Sequence, residues 1–320
     1  MIESSRRQVV VGAAATAAIF GLPAPLAVFG SARAAELEAK GFHRFKIGDV
    51  EITTVSDGQW NRPHDPGFIT NASVDETKSA LAASGLPTDG VTIPFTVTFA
   101  RAGGRTIMFD AGTGAQLAPT AGKLAANMAA AGIAPEAIDT ILLTHFHPDH
   151  VFGLMTKETN APVYPNARIV APDAEMAFWT DPGVFAKLPE HRHGLAKRIQ
   201  ATLGTWKNIE RVSGETEVVP GIRTLPAHGH TPGHTVYHIA SGTDQLLVLA
   251  DTSNIPALFV RNPGWHAVFD SDPQAAEAVR RTLFDRVVAD STIVTGYHYG
   301  MPGAGRIAKD GAAYAFVPLA

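Results

Sequence analysis

Thr144-His145-Phe146-His147-Pro148-Asp149-His150 follows the apolar run Ile141-Leu142-Leu143 and sets three imidazoles and a carboxylate within six consecutive positions. His145 and His147 stand two apart, so at an extended strand end both side chains point to one side. Pro148 cannot continue a strand ladder and turns the chain, which brings Asp149 and His150 back toward the same point. Nitrogen and oxygen donors without a thiolate suit Zn²⁺, with Mn²⁺, Fe²⁺ and Co²⁺ as alternatives. Four donors this close cannot all serve one tetrahedral ion, so the spacing points to two ions side by side. The plain alternative is a polar turn rich in histidine. Thirteen histidines in 320 residues make a chance pair ordinary, but not a full cluster at a strand end.

The composition is that of a globular chain able to bury a sizeable core, with 45% hydrophobic and 18% charged residues. A length of 320 residues allows one large domain or two small ones. The formal charge of −4 carries no basic footprint, so nucleic acid is not an expected partner. Cysteine is absent, which excludes a disulfide framework, a thiol nucleophile, thiolate metal ligands and a lipidated cysteine.

The N-terminus reads as a targeting segment. Arg6-Arg7 precedes a mild apolar stretch from Val9 to Phe29, and Ala32-Arg33-Ala34 forms an Ala-x-Ala cleavage site. Pro23 and Pro25 interrupt the apolar run, which argues for a cleaved twin-arginine leader over residues 1–34 rather than a permanent anchor. Its loss takes the basic count from 26 to 23, the acidic count from 30 to 29 and the formal charge from −4 to −6. The expected location is periplasmic or secreted, with no stable membrane anchor and with a metal loaded before export.

Along the mature chain, Phe45 to Ser56 reads as two short strands joined at Gly48-Asp49, and residues 59–75 as a long loop over an opening. Asp75 to Ser84 is helical, and Ile93 to Phe109 is a hairpin turning at Gly103-Gly104. Ala118 to Ala131 is a helix stopped at Gly132. Strands are expected at 140–143, 167–171, 216–225, 235–240 and 245–250. Helices are expected after Pro172, in part of 184–204 and from Pro273 to Ala289, with Ser291 to Thr295 as the last core strand. The two halves read alike, and no linker divides residues 42–310. The expected architecture is one domain, residues 35–320, an α/β fold in which two mixed β-sheets pack face to face with helices outside, an αββα sandwich.

His145-x-His147-x-Asp149-His150 resembles the signature of the metallo-β-lactamase superfamily. Gly229-His230-Thr231-Pro232-Gly233-His234, the strand Gln245 to Asp251 and Thr292 to His298 fall where that superfamily places its remaining ligands, and the likeness spans nearly all of residues 42–320. Ser56-Asp57-Gly58, Asp110-Ala111-Gly112, Leu124 to Asn127, Ala174 to Trp179 and Val219 to Ile222 resemble the methyl parathion hydrolase branch, which sits beside the quorum-quenching lactonases. The resemblance implies that His145, His147 and His230 hold one ion, that Asp149, His150 and His298 hold a second, and that Asp251 bridges them. His228 and His234 flank His230 and compete for its role; the resemblance favours His230. His191, His193, His238 and His266 are read as non-ligands.

Two such ions, about 3.5–4 Å apart, can share a hydroxide that attacks carbon or phosphorus. The chain is then expected to be a hydrolase of a lactone, ester or organophosphate triester. A β-lactamase and a mononuclear iron dioxygenase acting on a persulfide are the rivals, and a metal-free binding protein is a third class. Asp149 is the first catalytic candidate. Asn254, just past the strand that delivers Asp251, either donates to the oxyanion or only forms a turn before Pro256. Asp110 either contacts a metal-binding histidine or only shapes the turn before Gly112. Trp60, Phe68, Phe178, Trp179, Phe185, Phe259, Trp265 and Phe269 fall in or beside the loops expected to rim the site. The resemblance puts Trp179 and Phe269 at the substrate pocket. Such a rim implies a small, hydrophobic, neutral substrate; a homodimer remains open.

Overall fold

The short run Thr140–Leu142 is wholly apolar after its first residue and wholly buried, the mark of a strand covered on both faces. The computed structural model, which describes residues 31–206 and 209–319, builds a parallel block around it. Helix α1 (Ser31–Lys40) leads into β1 (Phe42–Ile47) and β2 (Val50–Arg62), and α2 (Val74–Ala83) into β3 (Val91–Ala102) and β4 (Arg105–Phe109). Next come α3 (Leu124–Ala130), β5 (Thr140–Leu142), the single turn α4 (Pro148–Val151) and β6 (Arg168–Pro172). Helices α5 (Asp173–Thr180), α6 (Val184–Lys187) and α7 (His193–Leu203) precede β7 (Ile209–Val212). The second half runs β8 (Glu217–Val219), β9 (Ile222–Pro226), β10 (Thr235–Ser241), β11 (Asp244–Ala250), α8 (Pro273–Ala289), β12 (Ile293–Gly296), β13 (Ala304–Asp310) and β14 (Ala313–Pro318).

Each half of the chain makes one seven-stranded sheet, in the orders β1-β2-β3-β4-β5-β6-β7 and β14-β13-β12-β11-β10-β9-β8. Both are mixed: β4 to β7 run parallel in the first, and β11 pairs parallel with β12 in the second. Ile52, Ile107, Phe109 and Leu142 of one sheet meet Tyr237, Ile239, Leu246 and Val248 of the other in the central layer. Helix α8 covers the outer face of the second sheet through Leu283, Phe284 and Val287. This is the expected αββα sandwich, and the likeness of the two halves is realised as two sheets of equal strand number.

Four expectations are corrected. The loop expected at 59–75 begins later, because β2 runs on to Arg62 in register with β3 as far as Val91. The helix expected from Ala118 begins only at Leu124; residues 118–123 are held instead by Asp57, whose carbonyl accepts from Gly122 and Lys123 and whose Oδ1 accepts from the Leu124 N–H at 2.8 Å. Ile293–Gly296 is not the last strand, since β13 and β14 form a further hairpin on its edge. The strand expected at 216–225 is two strands, parted where Gly221 takes a left-handed φ of 79°. The expected leader lies outside the described residues, apart from positions 31–34, which begin α1.

Gly153 makes the tightest backbone approach behind the histidine cluster. A Cβ on Gly153 would stand 1.8 Å from the Ala111 carbonyl oxygen, where neither backbone can move without shifting the segment 145–152. Gly153→Ala is expected to cost about 1–3 kcal/mol. Gly194→Ala, in helix α7 with open space around it, should be neutral or gain about 0.5–1 kcal/mol from helix propensity. Urea unfolding midpoints of the two variants check the contrast, and equal midpoints would contradict it.

Candidate metal centre

The sheets bring their strand ends together at one edge of the sandwich. His145 and His147 follow β5, and α4 carries Asp149 and His150. His230 lies between β9 and β10, Asp251 just after β11 and His298 just after β12. Two strand ends are kinked to do this: Asp110 after β4 and Ala250 before Asp251 take left-handed φ values of 62° and 45°, a conformation that costs a non-glycine residue about 1–3 kcal/mol. Cross-sheet bonds fix the seam. Tyr237 Oη donates to the Leu143 carbonyl at 2.7 Å, and the Thr235 N–H to the Thr144 carbonyl at 3.0 Å.

All seven side chains expected as ligands converge. His145, His147, His230 and Asp251 have donor atoms within 4.8 Å of one another, and so do Asp149, His150 and His298. Asp251 touches both sets: its oxygens lie 3.2 Å from His150 Nε2, 3.3 Å from His230 Nε2 and 3.0 Å from His298 Nε2. Asp149 Oδ2 is 3.4 Å from His150 Nε2 and 3.5 Å from His298 Nε2.

The donor set fits divalent ions by an internal test. His147 Nδ1 is approached by His145 Nε2 at 3.0 Å and His230 Nε2 at 2.9 Å, and one imidazole nitrogen cannot hydrogen-bond both. His150 Nε2 and Asp251 Oδ1 are buried and lie 3.2 Å apart without forming a hydrogen bond, an arrangement that a further group would complete. The electrostatics of His145 and His147 agree. Burial, then the neighbouring imidazolium charges, pushes His145 and His147 well below the usual histidine range, so both are neutral donors. Burial opposes the charge on Asp251 and His150, but the His298, His150 and His230 charges hold Asp251 well down, and Asp251, Asp149 and Asp110 hold His150 well up.

Four of the five imidazoles, those of His145, His150, His230 and His298, are anchored on the far side, which fixes ring orientation. His150 Nδ1 meets Asp110 Oδ2 at 2.8 Å, His230 Nδ1 meets Asp270 Oδ1 at 2.8 Å, and His298 Nδ1 donates to the Pro94 carbonyl at 2.8 Å. Asp110 also accepts from the Thr144 N–H and hydroxyl, and that hydroxyl reaches His145 Nδ1. Of the two readings of Asp110, the contact to a histidine of the cluster is therefore the one the structure contains. His234 is held neutral, pushed down to about 3 by burial and then by His230. It donates from Nδ1 to the Ala227 carbonyl and accepts the Asp251 N–H at Nε2, so it positions Asp251. His228 is exposed, and His193, His238 and His266 bond elsewhere.

Above the cluster lies a cavity of about 260 Å³, lined by His147, Asp149, His230, Asp251 and His298 below and by Trp60, Phe95, Trp179, Leu195 and Phe269 around. Trp179 is almost wholly buried, and its indole N–H donates to Glu175 Oε2 at 2.9 Å. Among the other expected rim aromatics, Phe68 and Phe259 are buried core residues behind Phe269. Asn254 lines the cavity, and its Oδ1 accepts the Ile255 N–H at 3.0 Å, leaving the NH₂ as what it can offer a ligand. A larger cavity, about 460 Å³, lies on the other side of His298 but contains no other member of the cluster.

Sequence reasoning missed Glu175, Asp270 and Arg192. Glu175 sits on α5 inside the segment Ala174 to Trp179, whose resemblance gave this residue no role, yet its buried carboxylate accepts from the Phe146 N–H, the Gly233 N–H and Trp179, joining both histidine loops to the cavity wall. Asp270 stands in no motif, two residues before Asp272, which caps α8. Arg192 lines the cavity from the turn that opens α7.

No curated protein matches the chain. Among solved structures, AidC, a dizinc quorum-quenching lactonase, superposes with a TM-score of 0.82 at 24% identity over 88% of this chain and 98% of its own. The hydrolase AbOPH, of the β-lactamase superfamily, gives 0.80 at 25% identity over the same shares. A probable metal-dependent hydrolase from Staphylococcus aureus gives 0.67 at 21% identity, over 85% of this chain and 98% of its own. The family model of the metallo-β-lactamase superfamily matches residues 96–296, from the middle of β3 through the end of β12 and so across six of the seven converging side chains. That match spans more than half of the chain and agrees with the two-sheet sandwich, so the chain belongs to the metallo-β-lactamase superfamily.

Proposed function

We propose that the chain is an exported dinuclear metal-dependent hydrolase acting on a lactone, ester or organophosphate triester. The observation that carries the reading is the pair of donor sets meeting at Asp251 on the floor of a largely apolar cavity. The two ions are most simply Zn²⁺. They would be held by His145, His147 and His230 and by Asp149, His150 and His298, with Asp251 between them. Ions held there supply Lewis acidity to a carbonyl or phosphoryl oxygen and make water acidic enough to lose a proton near neutral pH.

The chain's own groups do the rest. Trp179, Phe269, Phe95 and Leu195 exclude water and orient an electrophile uncharged at its reacting centre. Asp149, partly exposed in the cavity, takes the proton of the attacking water at a carboxylate oxygen and returns it to the leaving group. The Asn254 NH₂ donates to the oxygen that gains charge, a contact worth about 2–4 kcal/mol when well aimed. Residues 1–34 are the cleaved twin-arginine leader and residues 35–320 the hydrolase domain. Among the described residues, no helix is long and apolar enough to cross a membrane.

Elemental analysis of the purified protein should find two divalent ions per chain, and a panel of one lactone, one aryl ester and one phosphotriester should show turnover. Chelation should lower the melting temperature, since ligand at a hundred times its Kd stabilises by about 2.7 kcal/mol per site. His147→Ala should cut kcat at least tenfold, about 1.4 kcal/mol, on every substrate together. A single iron per chain with dioxygen-dependent activity would sink the hydrolase reading.

Asn254→Leu separates its two roles. An oxyanion donor predicts a ten- to thousandfold fall in kcat with metal content unchanged. A fall in melting temperature, with kcat per metal-loaded enzyme within about twofold, would leave it a turn former only.

Trp179→Ala opens a core cavity at about 3–5 kcal/mol, so Trp179→Phe is the better probe. It keeps a ring in the wall and loses the bond to Glu175. KM for bulky aryl substrates should rise more than kcat falls, and an equal loss of kcat on all substrates would place Trp179 outside substrate selection.

A further inference from the structure

One side chain does not suit a purely hydrophobic substrate. Arg192 lines the cavity alongside Trp179, Leu195 and Phe269, and it is the basic residue of that lining. Its Nη2 donates to the Val268 carbonyl at 2.8 Å, a single neutral acceptor for a group with five N–H donors. The neighbouring arginines have acids: Arg62 lies 3.5 Å from Asp65 and Arg280 3.6 Å from Asp270. Among the described residues no carboxylate pairs with Arg192, and the two acids of the cavity, Asp149 and Asp251, face the histidines. The guanidinium is half-buried, and burial lowers its pKa with no nearby negative charge to offset it.

Its backbone is held firmly. The adjacent His193 Nε2 lies 2.8 Å from the Phe185 carbonyl and 3.0 Å from the Leu188 carbonyl, and the Arg192 N–H donates to Pro189. The bond to Val268 ties the turn opening α7 to the segment that carries Phe269. A planar guanidinium with free N–H groups, beside apolar walls that weaken competition from water, matches a carboxylate in two-pronged geometry.

We propose that Arg192 anchors a subsite for a carboxylate on the non-reacting end of the substrate. The reading rests on the hydrolase assignment and narrows its substrate from a neutral molecule to a small acidic ester or lactone. The ester group meets the metal centre while the carboxylate meets Arg192. A cavity of about 260 Å³ admits little more than one ring with short substituents.

The test uses the full, metal-loaded chain and two aryl acetates, 4-acetoxybenzoate and 4-acetoxybenzamide. They share the ring and the reacting acetyl group and differ in the charge at the far end. Hydrolysis of either adds water across the acetyl C–O bond and releases acetate and the phenol. Arg192→Gln should lower the benzoate-to-benzamide ratio of kcat/KM by about tenfold or more, chiefly through KM for the benzoate, and Arg192→Lys should restore part of it. An unchanged ratio, or an equal loss on both esters, overturns the subsite. Binding of 4-hydroxybenzoate, followed by tryptophan fluorescence, is measured in parallel on variants of matched metal content and melting temperature. Binding that depends on Arg192, with neither ester hydrolysed by the wild-type chain, refutes the hydrolase assignment and keeps the subsite. Equal binding by the wild-type chain and Arg192→Gln places the carboxylate on the metal centre and removes the subsite.

Discussion

Asp251 holds a carboxylate within 3.3 Å of imidazole nitrogens from His150, His230 and His298, and its side chain is 4% exposed. Charge buried this deeply is tolerated only when its partners are fixed. Removing one partner of such a group typically costs about 3–5 kcal/mol, because the remaining charge is stranded. The surroundings of Asp251 meet that demand from every side. His234 accepts its N–H, and Asp110, Asp270 and the Pro94 carbonyl hold the three imidazoles on their far edges. The cluster is thus already a rigid set of donors, which is what a metal centre needs to hold ions in a fixed geometry.

The sandwich follows from the same demand. The histidine and aspartate positions come from both halves of the chain, so neither sheet alone can assemble them. The apolar layer of Ile107, Phe109, Leu142, Tyr237 and Val248 supplies the attraction between sheets. Tyr237 and Thr235 then turn that contact into a register by donating to the carbonyls of Leu143 and Thr144. Glu175 extends the control outward. Its three accepted N–H bonds connect the 145–150 segment, the 230–234 loop and Trp179, so one carboxylate ties the wall of the cavity to its floor.

The cavity divides its chemistry by depth. Carboxylates and imidazoles occupy the floor, aromatic rings the sides, and one unpaired guanidinium the wall. Asn254 stands where these zones meet, its oxygen committed to the backbone of Ile255. The proposed substrate, a small molecule with a polar reacting centre and a flat apolar body, is read from this layering.

Local patterns made much of this legible. Alternation and glycine turns marked most of the strands, Pro273 marked the start of α8, and His145-x-His147-x-Asp149-His150 marked the centre, because those signals reside in neighbouring residues. The strands β13 and β14 went unread: Ala304–Asp310 and Ala313–Pro318 mix small, charged and apolar residues on an edge hairpin whose outer face asks little of them. The start of α3 was misplaced because alanine content favours a helix from Ala118, while the buried Asp57, some 65 residues earlier, claims that backbone instead. Glu175, Asp270 and Arg192 could not be singled out at all. A carboxylate or guanidinium is ordinary in sequence, and what makes these three unusual is burial and partners contributed by distant segments, which only the packed chain brings within hydrogen-bond reach.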